Sequence, residues 1–394
     1  MITSRLDTDF YKFRMSLFAF HYYPHVEVDM EFTSRDKDFV LTEKLAESIL
    51  ARCAEIRRGL HYDGDSWFHF LDEELNYVEK MIGVSASVSE TWLDLLQSVD
   101  LPMPYFDRGK IKVSGPWWLT MFWETYIMST HSELVSKMAW GQPGVYNLGT
   151  PTQEDVLHEK LQVKLNILSA VGNLHIVDFG TRRRYSSDWQ RKVLCSSLGL
   201  IEGTSNTLLA MELKLPVVGS MAHEVFMVPE ALLSENQVTR DAASMLVMQQ
   251  WEQLYGPVTT IALTDTFRTE QFVKTATSEQ MRRWGGFRHD SGDAYYWYLQ
   301  IADSIHGKQP FKPKLVFSDA LKIEDILRIN HFVDKDRFDA VFGWGTNLTN
   351  DFGQKPPSTI MKVVSANGRS TVKLSDVMSK ALGAPERLLA YRKI

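Results

Sequence analysis

Cysteine is nearly absent from this 394-residue chain: Cys53 and Cys195 stand far apart, without metal-ligand spacing. Two such residues build neither a disulfide framework nor a thiolate zinc cage, so a reducing, cytoplasmic setting is expected. Long apolar runs are missing too. None approaches the roughly 18 residues of a membrane span, and the opening MITSRLDTDFYKFRM is charged throughout rather than signal-like. There is no basic excess: 43 Lys and Arg face 49 Asp and Glu, a net charge of −6, which argues against general nucleic-acid binding but leaves room for a local basic pocket. HExxH, GxSxG and a Walker A lysine loop are also lacking, so zinc hydrolysis, a serine-hydrolase elbow and a P-loop have no support.

Aromatics, by contrast, are plentiful, and they serve both cores and stacking on flat ligands. LDTDFYKFRM starts a helix in which Asp9, Tyr11 and Lys12 read as ordinary first-turn residues, and VEVDMEF alternates as a strand with one buried face. Residues 41–100 read as amphipathic helix without chemistry. PWWLTMFWETYIMSTHSELVSKM predicts one long helix starting at Pro116, its tryptophans serving a core or a subunit interface. GQPGVYNLGTPTQ (141–153) marks a boundary, with Thr152 as a helix cap.

From about 174 the rhythm changes. HIVDFGTRRR, LGLIEGTSN, LPVVGSMAHE, TIALTDTF, GGFRHDSGD, KLVFSDAL and AVFGWGTNL each run from an apolar stretch into a polar or glycine-rich cluster, most with helical stretches between. Repeated strand–loop–helix units predict parallel strands with crossover helices, and seven or eight of them a closed or nearly closed α/β barrel with its active site on the loops after the strands. Asn367-Gly368 signals a hairpin outside that pattern, so the tail is expected to return to the N-terminal part. The expected organisation is an irregular α/β barrel over 141–354 with a smaller α+β domain made of 1–140 and 355–394.

WGGFRHDSGD (284–293) concentrates the unusual chemistry: Arg288 offers a planar fork for carboxylate or phosphate, Asp290 and Asp293 suit sugar hydroxyls or Mg2+, and the glycines allow close backbone approach to a ligand. His223 in GSMAHE, beside Glu224, has the makings of a base, nucleophile or ligand. Phe179 and Arg182 in DFGTRRR offer a stacking ring and a cation. Ser318 and Asp319, with Gly343, Gly345 and Thr346, fall in late barrel loops of the kind that bind phosphate through backbone N–H groups. Flat ring, diol and phosphate together describe a nucleotide or its precursors.

LDTDFYKFRM, EFTSRD, DFGTRRR, EGTSN, GSMAHE, FRHDSGD, FSDAL, FGWGTNL and NGRSTVKLSD stand in the order found in nicotinate phosphoribosyltransferases, which the chain resembles nearly end to end. The resemblance implies a homodimer with shared sites that joins nicotinate to 5-phosphoribosyl-1-pyrophosphate with ATP hydrolysis and Mg2+. It implies His223 as a histidine phosphorylated by ATP, Phe179 and a partner subunit's Tyr11 as a ring clamp, and Arg182 and Arg288 as carboxylate and pyrophosphate ligands, roles not divided between them. Asp290 is implied at the ribose diol, Ser318, Asp319, Gly343, Gly345 and Thr346 at the 5′-phosphate, and Arg35 and Lys373 at further anions. Thr204 and Ser205 in EGTSN fall at the substrate. The related nicotinamide phosphoribosyltransferases carry an aspartate where Ser205 stands, and a carboxylate there would repel nicotinate. Nicotinamide transfer, a phosphosugar isomerase and a non-catalytic nucleotide-binding barrel are the alternatives.

Overall fold

The computed structural model describes residues 1–34, 39–62, 66–140, 153–233, 240–305, 310–351 and 356–392. Arg35, Thr152 and most of the 141–153 boundary lie outside them. Two sheets organise the chain. The first is antiparallel, in the order Arg369–Ser370, Thr359–Ala366, Glu27–Ser34, Lys110–Pro116, Tyr105–Asp107, and so draws strands from both ends of the sequence. Alternation sets its buried face: Val28, Met30 and Phe32 go inward while Glu27 and Asp29 face solvent. Asn367 and Gly368 make its hairpin turn, both with positive φ (46° and 77°) as a two-residue turn of this kind requires.

The second sheet is parallel and six-stranded, in the order Gly203–Thr204, His175–Asp178, Asp339–Trp344, Lys314–Phe317, Gly286–His289, Ile261–Leu263. The last strand in sequence pairs with the first, so the sheet runs as a barrel. A single parallel bridge from Thr204 to Val217 extends it by a seventh segment. The barrel is therefore open at one seam, between Val217 and Ile261–Leu263, where side chains rather than a backbone ladder make the crossing: the His223 ring lies 3.0 Å from the Thr266 hydroxyl. All seven apolar runs of the sequence contribute to this wall, six as strands and one as the bridge.

Two local expectations change. The helix predicted from Pro116 is two: Pro116 ends a strand, Trp117–Thr120 is one turn, and Trp123–Trp140 starts afresh after Met121 and Phe122. Trp117, Trp118 and Trp123 are core, with the Trp117 indole donating to Glu224 and the Trp123 indole to the Pro102 carbonyl. Gly285 and Gly286 do not face a ligand. They sit where the strand begins, and a Cβ there would lie 1.8 Å from the Val258 carbonyl oxygen or 2.1 Å from that of Lys314, so strand packing demands them. No described helix is long and apolar enough to cross a membrane.

The N-terminal segment is tied to the barrel by buried polar groups. Phe10 N–H donates to the Ser205 carbonyl, Thr207 N–H to that of Thr8 and Leu208 N–H to that of Leu6. Arg184 makes a two-pronged contact with Asp7, both bonds 2.6 Å and both side chains fully buried. Burial alone would raise the Asp7 carboxyl, but the Arg184 charge and hydrogen bonds from Arg184 and Asn206 hold it below its ordinary 3.8. Because the folded value is depressed, this stability is present above pH ~4 and lost as pH falls further. We expect Asp7→Ala, which strands a buried guanidinium, to lose about 3–5 kcal/mol in denaturant unfolding at pH 7; a loss below ~1 kcal/mol would contradict this account of the junction.

Candidate functional site

The strand ends of the barrel converge on His223. His223 stands at the start of the helix Glu224–Leu233, where the N–H groups of Phe226 and Met227 donate to its backbone carbonyl. Nδ1 faces the Thr266 hydroxyl at 3.0 Å; Nε2 lies 3.0 Å from Asp290 Oδ2 and 2.7 Å from Lys373 Nζ. The two contacts at Nε2 ask for opposite proton positions, donor toward Asp290 and acceptor from Lys373. Burial, and then the Lys373 charge, lower the ring's proton affinity, so the imidazole is neutral near pH 7 and keeps a lone pair for nucleophilic or basic work.

The partner carboxylate is Asp290, not the adjacent Glu224, whose side chain leaves the site for Lys12 and the Trp117 indole. Burial opposes ionisation of Asp290, but the hydrogen bond to His223 and the charge of Arg288 outweigh it and hold the carboxyl well below its ordinary range. Arg288 donates to the Met221 carbonyl at 2.7 Å and approaches Asp290 at 3.7 Å. Strand alternation explains the sorting within FRHDSGD. Arg288 and Asp290 face His223, while Phe287 is core and His289 lies among Trp297 and Phe317 with Nε2 at the Gly292 carbonyl. Asp293 caps the helix Ala294–Ser304, accepting from the N–H groups of Tyr295 and Tyr296 rather than serving a ligand.

Asp265 completes the cluster. It accepts from the Ser291 hydroxyl through Oδ2, whereas its buried Oδ1 has no hydrogen-bond partner among the described residues and lies 3.8 Å from His223 Nε2. One ligand atom each from His223, Asp265 and Asp290 falls within 4.8 Å of the others, and the two carboxylates among them suit a hard cation. Ser318 donates to Asp290 Oδ1 at 3.3 Å, and Asp319 accepts from Lys380, whose Nζ also donates to the Asp290 carbonyl at 3.0 Å.

A second group of charges gathers around Arg182. Arg182, 40 % exposed, donates to Glu124 at 2.9 Å and lies 3.5 Å from Asp9, with the Tyr11 ring centroid 5.8 Å from its guanidinium carbon. Within one chain, Tyr11 stands beside Arg182. Glu124 also meets Lys12 at 2.6 Å and the Tyr11 hydroxyl at 3.3 Å. Burial would raise the Glu124 carboxyl, but Lys12 and Arg182 pull it down to about 2. The loop 218–223 links the two groups. A Cβ on Gly219 would fall 2.8 Å from Tyr11 N, Met221 supplies the carbonyl for Arg288, and His223 ends the loop. The Asp290 charge is also felt at Arg182.

Of the remaining expected residues, Phe179 is half-buried against the barrel end, where a Cβ on Gly343 would lie 2.4 Å from its ring. Gly345 and Thr346 open the one-turn helix Thr346–Thr349 beside it. Ser205 donates to Asp9 at 2.6 Å, and the wholly buried Thr204 donates to Asp178 at 2.7 Å, which commits its hydroxyl to the fold. Glu124, Asp265, Thr266 and Lys380 went unassigned in the sequence. A signal existed for the first, a single carboxylate inside the apolar run TMFWETYIM, and for the next two, a polar strand end in TIALTDTF.

Sequence models of known families match this chain twice. The nicotinate phosphoribosyltransferase family model covers residues 174–393, and the model of that family's N-terminal domain covers 6–132. Among solved structures, nicotinate phosphoribosyltransferase from Vibrio cholerae superposes with a TM-score of 0.84 at 26 % identity, over 100 % of this chain and 93 % of that one. The enzyme of that name from Porphyromonas gingivalis, at 24 % identity and a TM-score of 0.84 over 100 % of this chain and 99 % of its own, shares the fold. Two matched regions that together take in both sheets, the strand-end cluster and the loop that joins its halves identify this chain as a member of the nicotinate phosphoribosyltransferase family.

Proposed function

We propose that this chain transfers the phosphoribosyl group of 5-phosphoribosyl-1-pyrophosphate to nicotinate, giving nicotinate mononucleotide and pyrophosphate, with ATP hydrolysed alongside. The observation that carries this reading is the pairing, in a member of this family, of a ring-and-cation group (Tyr11, Arg182) with a histidine–carboxylate–cation group (His223, Asp290, Arg288) across one loop.

In this reading Arg182 receives the nicotinate carboxylate as a planar fork, and Tyr11 and Phe179 hold the pyridine by its faces. The ring nitrogen forms a bond to the anomeric carbon while the carbon–oxygen bond to pyrophosphate breaks, the leaving group taking the bonding pair. Negative charge grows on pyrophosphate, where Arg288 and Lys373 neutralise it in a largely water-free setting. Asp265 and Asp290 fit as carboxylate ligands of Mg2+, which when bound adds charge neutralisation at the diphosphate. His223, neutral and with the Nδ1 proton held toward Thr266, would form a bond from Nε2 to the γ-phosphorus of ATP as the bond to the β–γ bridging oxygen breaks and ADP leaves with the bonding pair. Lys373 and the N-terminus of the ten-residue helix Glu224–Leu233 favour the negative charge so gained. Hydrolysis of the phosphohistidine returns the ring. We further propose a homodimer, on the family resemblance; light scattering in solution is expected to give twice the 45.3 kDa of one chain, and that of one chain would refute it.

Two further outcomes test the reading. Nicotinate should support pyrophosphate release far better than nicotinamide. Ser205→Asp should cut kcat/KM for nicotinate by about tenfold or more, because its carboxylate would crowd Asp9 and compete for Arg182. Equal use of the two pyridines by the unmodified protein would overturn the assignment. Incubation with γ-labelled ATP should leave acid-labile, base-stable label on the protein, and His223→Asn should remove it along with nicotinate-independent ATP hydrolysis while slow transfer persists. Normal labelling of His223→Asn would make His223 structural.

A further inference from the structure

Five buried or half-buried ionisable groups form an alternating file beneath the ring end of the site: Asp9, Arg182, Glu124, Lys12, Glu224. Successive contacts are 3.5, 2.9, 2.6 and 3.6 Å. The file is open to solvent at one member. The Arg182 side chain is 40 % exposed, Glu124 12 % and Lys12 not at all, so the guanidinium that meets solvent is anchored from behind by groups that do not.

Glu124 is the junction. Its Oε1 accepts from Arg182, and its Oε2 faces both the Lys12 ammonium and the Tyr11 hydroxyl. One carboxylate therefore fixes both the half-exposed guanidinium and the buried aromatic ring beside it. The ring hydroxyl could turn to water, and the guanidinium could swing on its three-carbon stem, if this anchor were lost. Lys12 holds the anchor in turn, and Glu224, at the start of the helix that follows His223, lies at the far side of Lys12.

Charge distribution along the file suits this purpose. With every group ionised there are three carboxylates to two cations, and a substrate carboxylate adds a fourth. Burial raises the two end members, Asp9 and Glu224, toward their neutral forms, while the central one is held ionised by its two cations. The Glu124 carboxylate is held directly behind the guanidinium by contacts of 2.9 Å with Arg182 and 2.6 Å with Lys12. Arg182 is held in place and still attracts an incoming anion.

We propose that Glu124 is the positioning residue of the pyridine end, setting Arg182 and Tyr11 in register for a ring bearing a carboxylate. The inference rests on the function proposed above. It is tested by steady-state kinetics with nicotinate and 5-phosphoribosyl-1-pyrophosphate varied separately, using Glu124→Gln and Glu124→Asp, each checked by thermal melting. The Asp form keeps the charge that Lys12 needs but withdraws the oxygens from Arg182 and Tyr11. It remains informative if the Gln form does not fold.

KM for nicotinate should rise about tenfold in either folded variant, KM for the phosphoribosyl donor should change less than about twofold, and kcat should fall far less than KM rises. An unchanged nicotinate KM in a folded variant would overturn the proposal. So would parallel loss for both substrates, the signature of a merely structural carboxylate. No turnover of nicotinate by the unmodified protein would instead overturn the function itself, and this inference with it.

Discussion

Everything at the anion end depends on one constraint: the His223 ring must cross the barrel's open seam. The ring stands at the end of the segment that bridges at Val217, and the groups that hold it come from three other places. Thr266 follows the strand on the far side of the seam, Asp290 follows the next strand, and Lys373 arrives from the C-terminal tail. A closed ladder at the seam would fill that gap with backbone bonds. Left open, it lets a ring, a carboxylate and an ammonium meet in a buried space, where their interactions are strong because water screens them little. The same openness explains how residues near both ends of the chain reach the site.

Burial and charge are balanced differently at the two ends. At the anion end, Asp290 keeps its negative charge against desolvation because His223, Arg288 and Lys373 surround it. At the ring end, Glu124 does so between Lys12 and Arg182. Each of these two carboxylates is matched to at least one arginine that is itself partly exposed, Arg288 for Asp290 and Arg182 for Glu124. The Asp7–Arg184 pair, wholly enclosed and facing nothing, serves the junction of the N-terminal segment with the barrel instead.

The barrel was legible because each strand run is apolar and ends in a cluster that no core would need. Even the residues that meet at the site, His223, Arg288, Asp290 and Arg182, stand out in that pattern. What could not be read is which member of a cluster faces inward. In FRHDSGD the alternation of the strand selects Arg288 and Asp290 and sends His289 to the helix layer, while Asp293 becomes a cap and Gly285 and Gly286 answer to neighbouring carbonyls. Sequence adjacency also misled: Glu224 follows His223 but turns away at the helix start, and the carboxylate on the ring comes from 67 positions later. The break at Met121–Phe122 has no Gly or Pro to announce it; tertiary packing overrides a good helical pattern there. Asp9 and Lys12 look like ordinary first-turn residues until long-range contacts with Arg182, Glu124 and Glu224 give them partners.

The central claim is that two charge groups on one chain form one site with divided labour, Arg182 for the pyridine carboxylate and Arg288 for the diphosphate. Calorimetric titration of nicotinate and of pyrophosphate with Mg2+, each separately, into the unmodified protein, Arg182→Met and Arg288→Met tests it most directly. The account predicts that Arg182→Met loses nicotinate binding and keeps pyrophosphate binding, with the reverse for Arg288→Met. Loss of both ligands from one variant with neither lost from the other, or no loss from either, would contradict it.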